Sequence, residues 1–168
     1  MFTWLRRLAA LSALSFLAAC GGGGGDDDRF TVVEVAQSDA RFSILVEAVV
    51  AAGLADTLSG PGPFTVFAPT DDAFAALLQE LGVSKEQLLA DQLLLTQVLT
   101  YHVVPGRVLR SQVPIDTPIR TVQGQTFTVD AGLVVTDQRG RTARIVQADV
   151  LAGNGVIHAI DRVLLPRP

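Results

Sequence analysis

The stretch GPFTVFAPTDDAFAALLQELG, Gly62 to Gly82, changes its period at the middle, and that change decides the fold. Phe64 to Ala68 is a short run of strand-favouring residues entered through glycine and proline and broken at Pro69, which predicts a short buried strand. From Thr70 the spacing becomes helical: Phe74, Leu77, Leu78 and Leu81 fall on one face. Thr70 is placed to start that helix, and Asp71 and Asp72 occupy its electropositive first turn. A buried strand feeding straight into an amphipathic helix needs sheet and helices around a shared core.

Helical signals continue on both sides. In DARFSILVEAVVAAG the residues Phe42, Leu45, Val46, Val49 and Val50 share one helical face; Ser38 or Asp39 can cap it, and Gly53 can end it. Ser84 and Gln87 form a capping-box pair, and Asp91 can cap a further helix carrying Leu95, Val98, Leu99 and His102 on its apolar stripe. From about Arg107 the period becomes two. TPIRTV, QTFTVD, LVVTD, ARIVQAD and GVIHAIDRVLL are short strand-like runs separated at Gly124, Gly132, Arg139-Gly140 and Gly153-Asn154-Gly155. Helices first and strands afterwards predict an α+β domain with antiparallel pairing in its second half.

The chain has 168 residues, the size of one ordinary domain, and 49% hydrophobic against 18% charged residues suits a well-cored globular protein. A net charge of −4 and a pI near 5.0 exclude the broad basic surface that nucleic acid requires. With one cysteine there is no internal disulfide, so the core must hold without one.

The N-terminus reads as an export signal: Arg6 and Arg7 precede the apolar run Leu8 to Ala19, which is short for a spanning helix. Leu17-Ala18-Ala19-Cys20 resembles the lipobox of bacterial lipoproteins, in which the cysteine thiol is diacylglycerylated and becomes the first mature residue. The expected organisation is a signal over residues 1–19, lipidated Cys20 with a Gly/Asp tether over 20–28, and a domain over 29–168. Cleavage would remove two arginines and no acid, taking the net charge to −6. The GGGGGDDD tether, Gly21 to Asp28, is flexible and self-repelling, with a reach of about 15 Å. Gly21 rather than aspartate after the lipidated cysteine favours delivery to the outer membrane.

No G-x-S-x-G elbow, H-E-x-x-H pair, P-loop or dinucleotide-binding fingerprint is present. Two histidines without further ligand spacing do not make a zinc site, so neither metal nor cofactor is expected and the chain does not read as an enzyme. His158 shares a strand face with Val156 and Ile160, and His102 lies on an apolar helical stripe. Both are expected to be buried, neutral and hydrogen-bonded, with His102 joining the helical and strand halves.

Three segments resemble the fasciclin domain family: GPFTVFAPTDDAF (Gly62 to Phe74) is similar to its first homology motif. YHVVPG (Tyr101 to Gly106) is similar to its tyrosine-histidine motif, and GNGVIHAIDRVLLP (Gly153 to Pro166) to its second. The resemblance runs from about Phe30 to Pro166 and implies a twisted β-sandwich or wedge with several helices packed along it. Within the motifs, Thr70, Asp71, His102, Asn154 and His158 are expected to order the fold. The family implies a non-enzymatic adhesion module contacting protein or polysaccharide at the cell envelope. Integrin recognition in animal members maps to Tyr101 and His102, and to Asp149-Val150, where valine stands in place of isoleucine. An exposed Tyr101 would then meet the partner, and Asp149 either does the same or caps local backbone amides as a turn residue. Carotenoid binding by some members implies an alternative, an apolar small-molecule ligand.

Overall fold

The computed structural model describes residues 30–168; the expected signal, Cys20 and the Gly/Asp tether lie outside them. The helices are α1 (Val32–Ser38), α2 (Ser43–Ala51), α3 (Ala55–Ser59), α4 (Asp71–Leu81), α5 (Lys85–Ala90) and α6 (Gln92–Tyr101). The strands are β1 (Phe64–Pro69), β2 (Val103–Pro105), β3 (Ile119–Arg120), β4 (Thr126–Val129), β5 (Val134–Thr136), β6 (Thr142–Ala152) and β7 (Gly155–Ile160). They form one sheet in the order β2-β1-β7-β6-β5-β4-β3.

Local signals explain several of these elements. The Thr70 hydroxyl accepts from the Ala73 N–H to open α4, and Gly82, at φ 65°, closes it. The Ser84–Gln87 capping box opens α5, and the Asp91 side chain accepts from the Leu94 N–H to open α6. Two helices outside the sequence expectation, α1 and α3, complete the helical layer. Asp39 caps a single 3-10 turn, Ala40–Phe42, that leads into α2. Val50, expected on the apolar face of α2, is 58% exposed, and Ala48 is buried in its place.

All the described strand pairs are antiparallel except β1 with β7, which run parallel in register from Phe64 opposite Gly155 to Pro69 opposite Ile160. The expectation of antiparallel pairing therefore holds for the second half but not for this central pair. Parallel strands must be covered on both faces, and the two apolar runs meet that requirement. Val66, Ala68, Ile157 and Ala159 pack into the helical core with Phe42, Leu45, Phe74, Leu77 and Leu99. Phe67 and Ile160 point the other way, into a second core with Tyr101, Val104, Ile119, Phe127, Val135 and Ile145. That second core draws on all seven strands, so the sheet curls into a near-barrel with helices along one flank. Gly155 permits the tight β1–β7 approach, since a Cβ there would meet the Phe64 carbonyl oxygen at 2.1 Å.

Candidate functional site

His102 ends α6 at the seam between the two cores and is 1% exposed. Its Nε2 accepts from the Leu164 N–H at 2.9 Å, which places the proton on Nδ1, and Nδ1–H donates to the Val98 carbonyl at 2.7 Å. Its backbone carbonyl accepts from the Phe67 N–H at 2.8 Å. One residue thereby joins α6, β1 and the C-terminal segment. Burial lowers its pKa from 6.5 to about 4, against the opposing pull of the Val98 carbonyl and Asp137. A neutral ring with both nitrogens occupied has no lone pair for a metal and no free proton for acid-base chemistry.

Tyr101, expected to be an exposed contact group, is fully buried. Its hydroxyl donates to the Thr126 carbonyl at 2.8 Å and accepts from the Gln138 N–H at 3.2 Å, and burial pushes its pKa up to about 12. Both side chains lie in the core, so neither Tyr101 nor His102 reaches a surface.

His158 is fully buried and adopts the other tautomer. Nε2–H donates to the Val108 carbonyl at 2.8 Å, Nδ1 accepts from the Asp149 N–H at 3.2 Å, and burial lowers the pKa. Asp149 sits at an irregularity in the β6–β7 register, with left-handed backbone at φ 58°. Its Oδ1 accepts from the Arg110 N–H at 2.7 Å, so it caps a backbone amide, but one 39 residues away rather than a local one. Val150 is half-buried against the helical core and paired with Ile157, which turns its side chain away from a partner.

The other motif residues are ties between elements. Asp71 Oδ1 accepts from the Ile44 N–H at 2.8 Å and Oδ2 from the Ser43 hydroxyl, so the first turn of α4 also holds the start of α2. Asn154 Oδ1 accepts from the Val32 N–H at 2.8 Å, while Nδ2 donates to the carbonyls of Leu58 and Gly60 at 2.7 and 2.9 Å. It ties the β6–β7 hairpin to α1 and α3. Sequence reading missed Asp137, 5% exposed, whose Oδ1 accepts from the Arg139 and Arg141 N–H groups and whose Oδ2 accepts from Leu165 N–H. The aspartate-to-glycine spacing of DQRG signals the turn; nothing local signals the bond to Leu165.

What remains exposed around the motifs is a shallow depression lined by Arg110, Ser111, Ile115, Ala131, Leu133 and Asp149. Asp149 and Leu133 line it, and Asp116 follows Ile115; these three are the described non-glycine residues with left-handed backbone, at φ 58°, 60° and 54°. Such conformations cost energy outside glycine and concentrate where a surface is held in a set shape. Ile115, 42% exposed, supplies an apolar contact, and Asp149 supplies a carboxylate. Among the described residues, no cluster of three or more histidine, cysteine or acidic side chains is placed to hold a metal ion.

A near-barrel of seven strands flanked by helices, with two buried histidines as ties, defines a FAS1-like architecture. A structural neighbour is a FAS1 domain pair from the insect cell adhesion molecule Fasciclin I, at a TM-score of 0.72 and 20% identity, covering 81% of this chain and 51% of that one. Residues 40–166 match the fasciclin domain, and the chain belongs to that family. It is 48% identical over 139 residues to protein sll1483 of Synechocystis, covering 81% of this chain and 73% of that protein. It is also 39% identical over 113 residues to the cell surface glycolipoprotein MPB83 of Mycobacterium bovis, covering 67% of this chain and 48% of the relative.

Proposed function

We propose that the protein is a non-enzymatic binding module of the cell envelope, anchored by lipid on Cys20 and contacting protein or polysaccharide through the Asp149 depression. The observation that carries the reading is that Leu133 and Asp149, both with left-handed backbone, line one exposed depression, with left-handed Asp116 next in sequence to a third lining residue, Ile115. The buried histidines argue in the same direction, because both are spent on backbone groups and neither is free for catalysis. The relative described as a cell surface glycolipoprotein supports the anchor, and the neighbour described as a cell adhesion molecule supports the role. Gly21 in place of an aspartate after Cys20 favours delivery of the anchor to the outer membrane in a two-membrane host.

The alternative of an apolar small molecule such as a carotenoid has less support. The apolar cavity beside His102 measures about 30 Å³ and the one between α4, α5 and α6 about 180 Å³, too small to enclose a chain as long as a carotenoid. Deleting the gene and scoring surface attachment, aggregation and biofilm formation tests the main reading. Reduced attachment, restored by the intact gene, is expected. Unchanged behaviour in all three would overturn it.

A further inference from the structure

The helical flank carries a second feature, independent of the Asp149 depression. A cavity of about 180 Å³ lies between α4, α5 and α6, walled by Phe74, Leu77, Leu88, Leu95, Val98 and Leu165. Its outer side is open at Leu81, 44% exposed, and half-buried Leu94. Voids on this scale forfeit packing contacts, so an apolar cavity kept open at the surface costs stability unless something fills it.

Arg139 is the one charged residue of the described lining. It stands in the turn between β5 and β6, where Nε–H donates to the Pro166 carbonyl at 2.7 Å and fixes the guanidinium. Its two Nη groups have no partner among the described residues. The carboxylates around the turn are already engaged: Asp137 accepts three backbone N–H groups, and Glu80 pairs with Arg141 and Arg162. Arg139 is exposed, lines this cavity and has no carboxylate partner among the described residues, so its planar guanidinium offers two donors beside an apolar hole.

We infer that this cavity takes the short acyl chain of an anionic amphiphile, with Arg139 binding its acidic head group. The size sets the tail, since a cavity of ~150 Å³ accommodates a guest about as large as benzene, so a short chain fits inside and a longer one must emerge past Leu81. The head group is a carboxylate or a phosphate, from a free fatty acid or a membrane lipid, because both present the paired oxygens that a guanidinium recognises.

Methyl-resolved NMR of the purified protein, titrated with octanoate and separately with octanol, tests the inference. Octanoate is expected to shift the Leu88, Leu94 and Leu95 methyls saturably, and octanol to bind about tenfold more weakly, in keeping with a hydrogen bond to a charged group. Arg139→Gln should erase that preference. Dioctanoyl phosphatidylglycerol is the second arm: tighter binding than octanoate identifies a lipid as the source, and weaker binding a free acid. No saturable shift at these methyls with either anionic probe would overturn the site. Equal binding of octanoate and octanol to the unaltered protein would do the same, and needs no variant to fold.

Discussion

His102 holds three segments with one ring and one carbonyl, so its truncation leaves the Leu164 N–H and the Val98 carbonyl unpaired in the core. His102→Ala is expected to lower unfolding free energy by about 3 kcal/mol, measured by urea denaturation, through the lost bonds and the cavity together. The pH dependence follows from its pKa, depressed from 6.5 to about 4. As pH falls, the unfolded chain takes up the proton before the folded one does. The stability contributed by neutral His102 is therefore complete above about pH 6.5 and is lost progressively toward about pH 4. His158 is shifted in the same direction and adds to the loss. Urea unfolding across that window should show stability falling with pH, with a shallower slope in His102→Gln. Tyr101 gives a separate check, because it is the sole tyrosine of the chain. Its pKa is raised to about 12, so phenolate absorbance in the folded protein should appear well above the ordinary value of 10.0 and only near the onset of alkaline unfolding.

Among the elements, Asn154 is the clearest long-range tie, bonding Val32 at a separation of 122 residues and Leu58 at 96. Asn154→Ala removes three hydrogen bonds at once and should cost about 2 kcal/mol or more, with hydrogen exchange accelerating first in α1 and α3. The same bonds explain which elements were legible in the sequence. Strand β1 and helices α4, α5 and α6 carry their own caps and periodicity, so local patterns find them. Helix α3, five residues long and without a side-chain cap, is held by Asn154 from the far end of the chain, which no local window contains; α1 does carry a local Thr31–Glu34 capping box, a signal the sequence reading passed over. The parallel β1–β7 pair is similarly silent: two runs buried on both faces look alike whichever way they pair. Val50 shows the remaining error, since a stripe read by spacing alone does not say how wide a face the neighbouring helices cover.

At the scale of the molecule, the motifs that mark the family are mostly the residues that assemble it. Asp71, His102, Asn154 and His158 bond backbone groups of other elements, and Thr70 caps the helix it opens. Tyr101 was misjudged because a tyrosine beside the apolar stripe of α6, at its C-terminal end, reads the same whether its hydroxyl meets water or the Thr126 carbonyl. Asp149 could be singled out from the sequence, but its left-handed backbone and its distant partner at Arg110 depend on tertiary structure. The proposed contact surface accordingly lies on exposed residues beside the motifs. Ser111 and Ala131 are exposed there, and neither side chain takes part in a described hydrogen bond, so both can be altered without removing a tie. The direct test is complementation of a deletion strain with the Ser111→Arg, Ala131→Arg double variant, scored for surface attachment, with the unfolding temperature of the purified variant measured alongside. The predicted result is an unchanged unfolding temperature and attachment as low as in the deletion strain; attachment restored to the level given by the intact gene would contradict it.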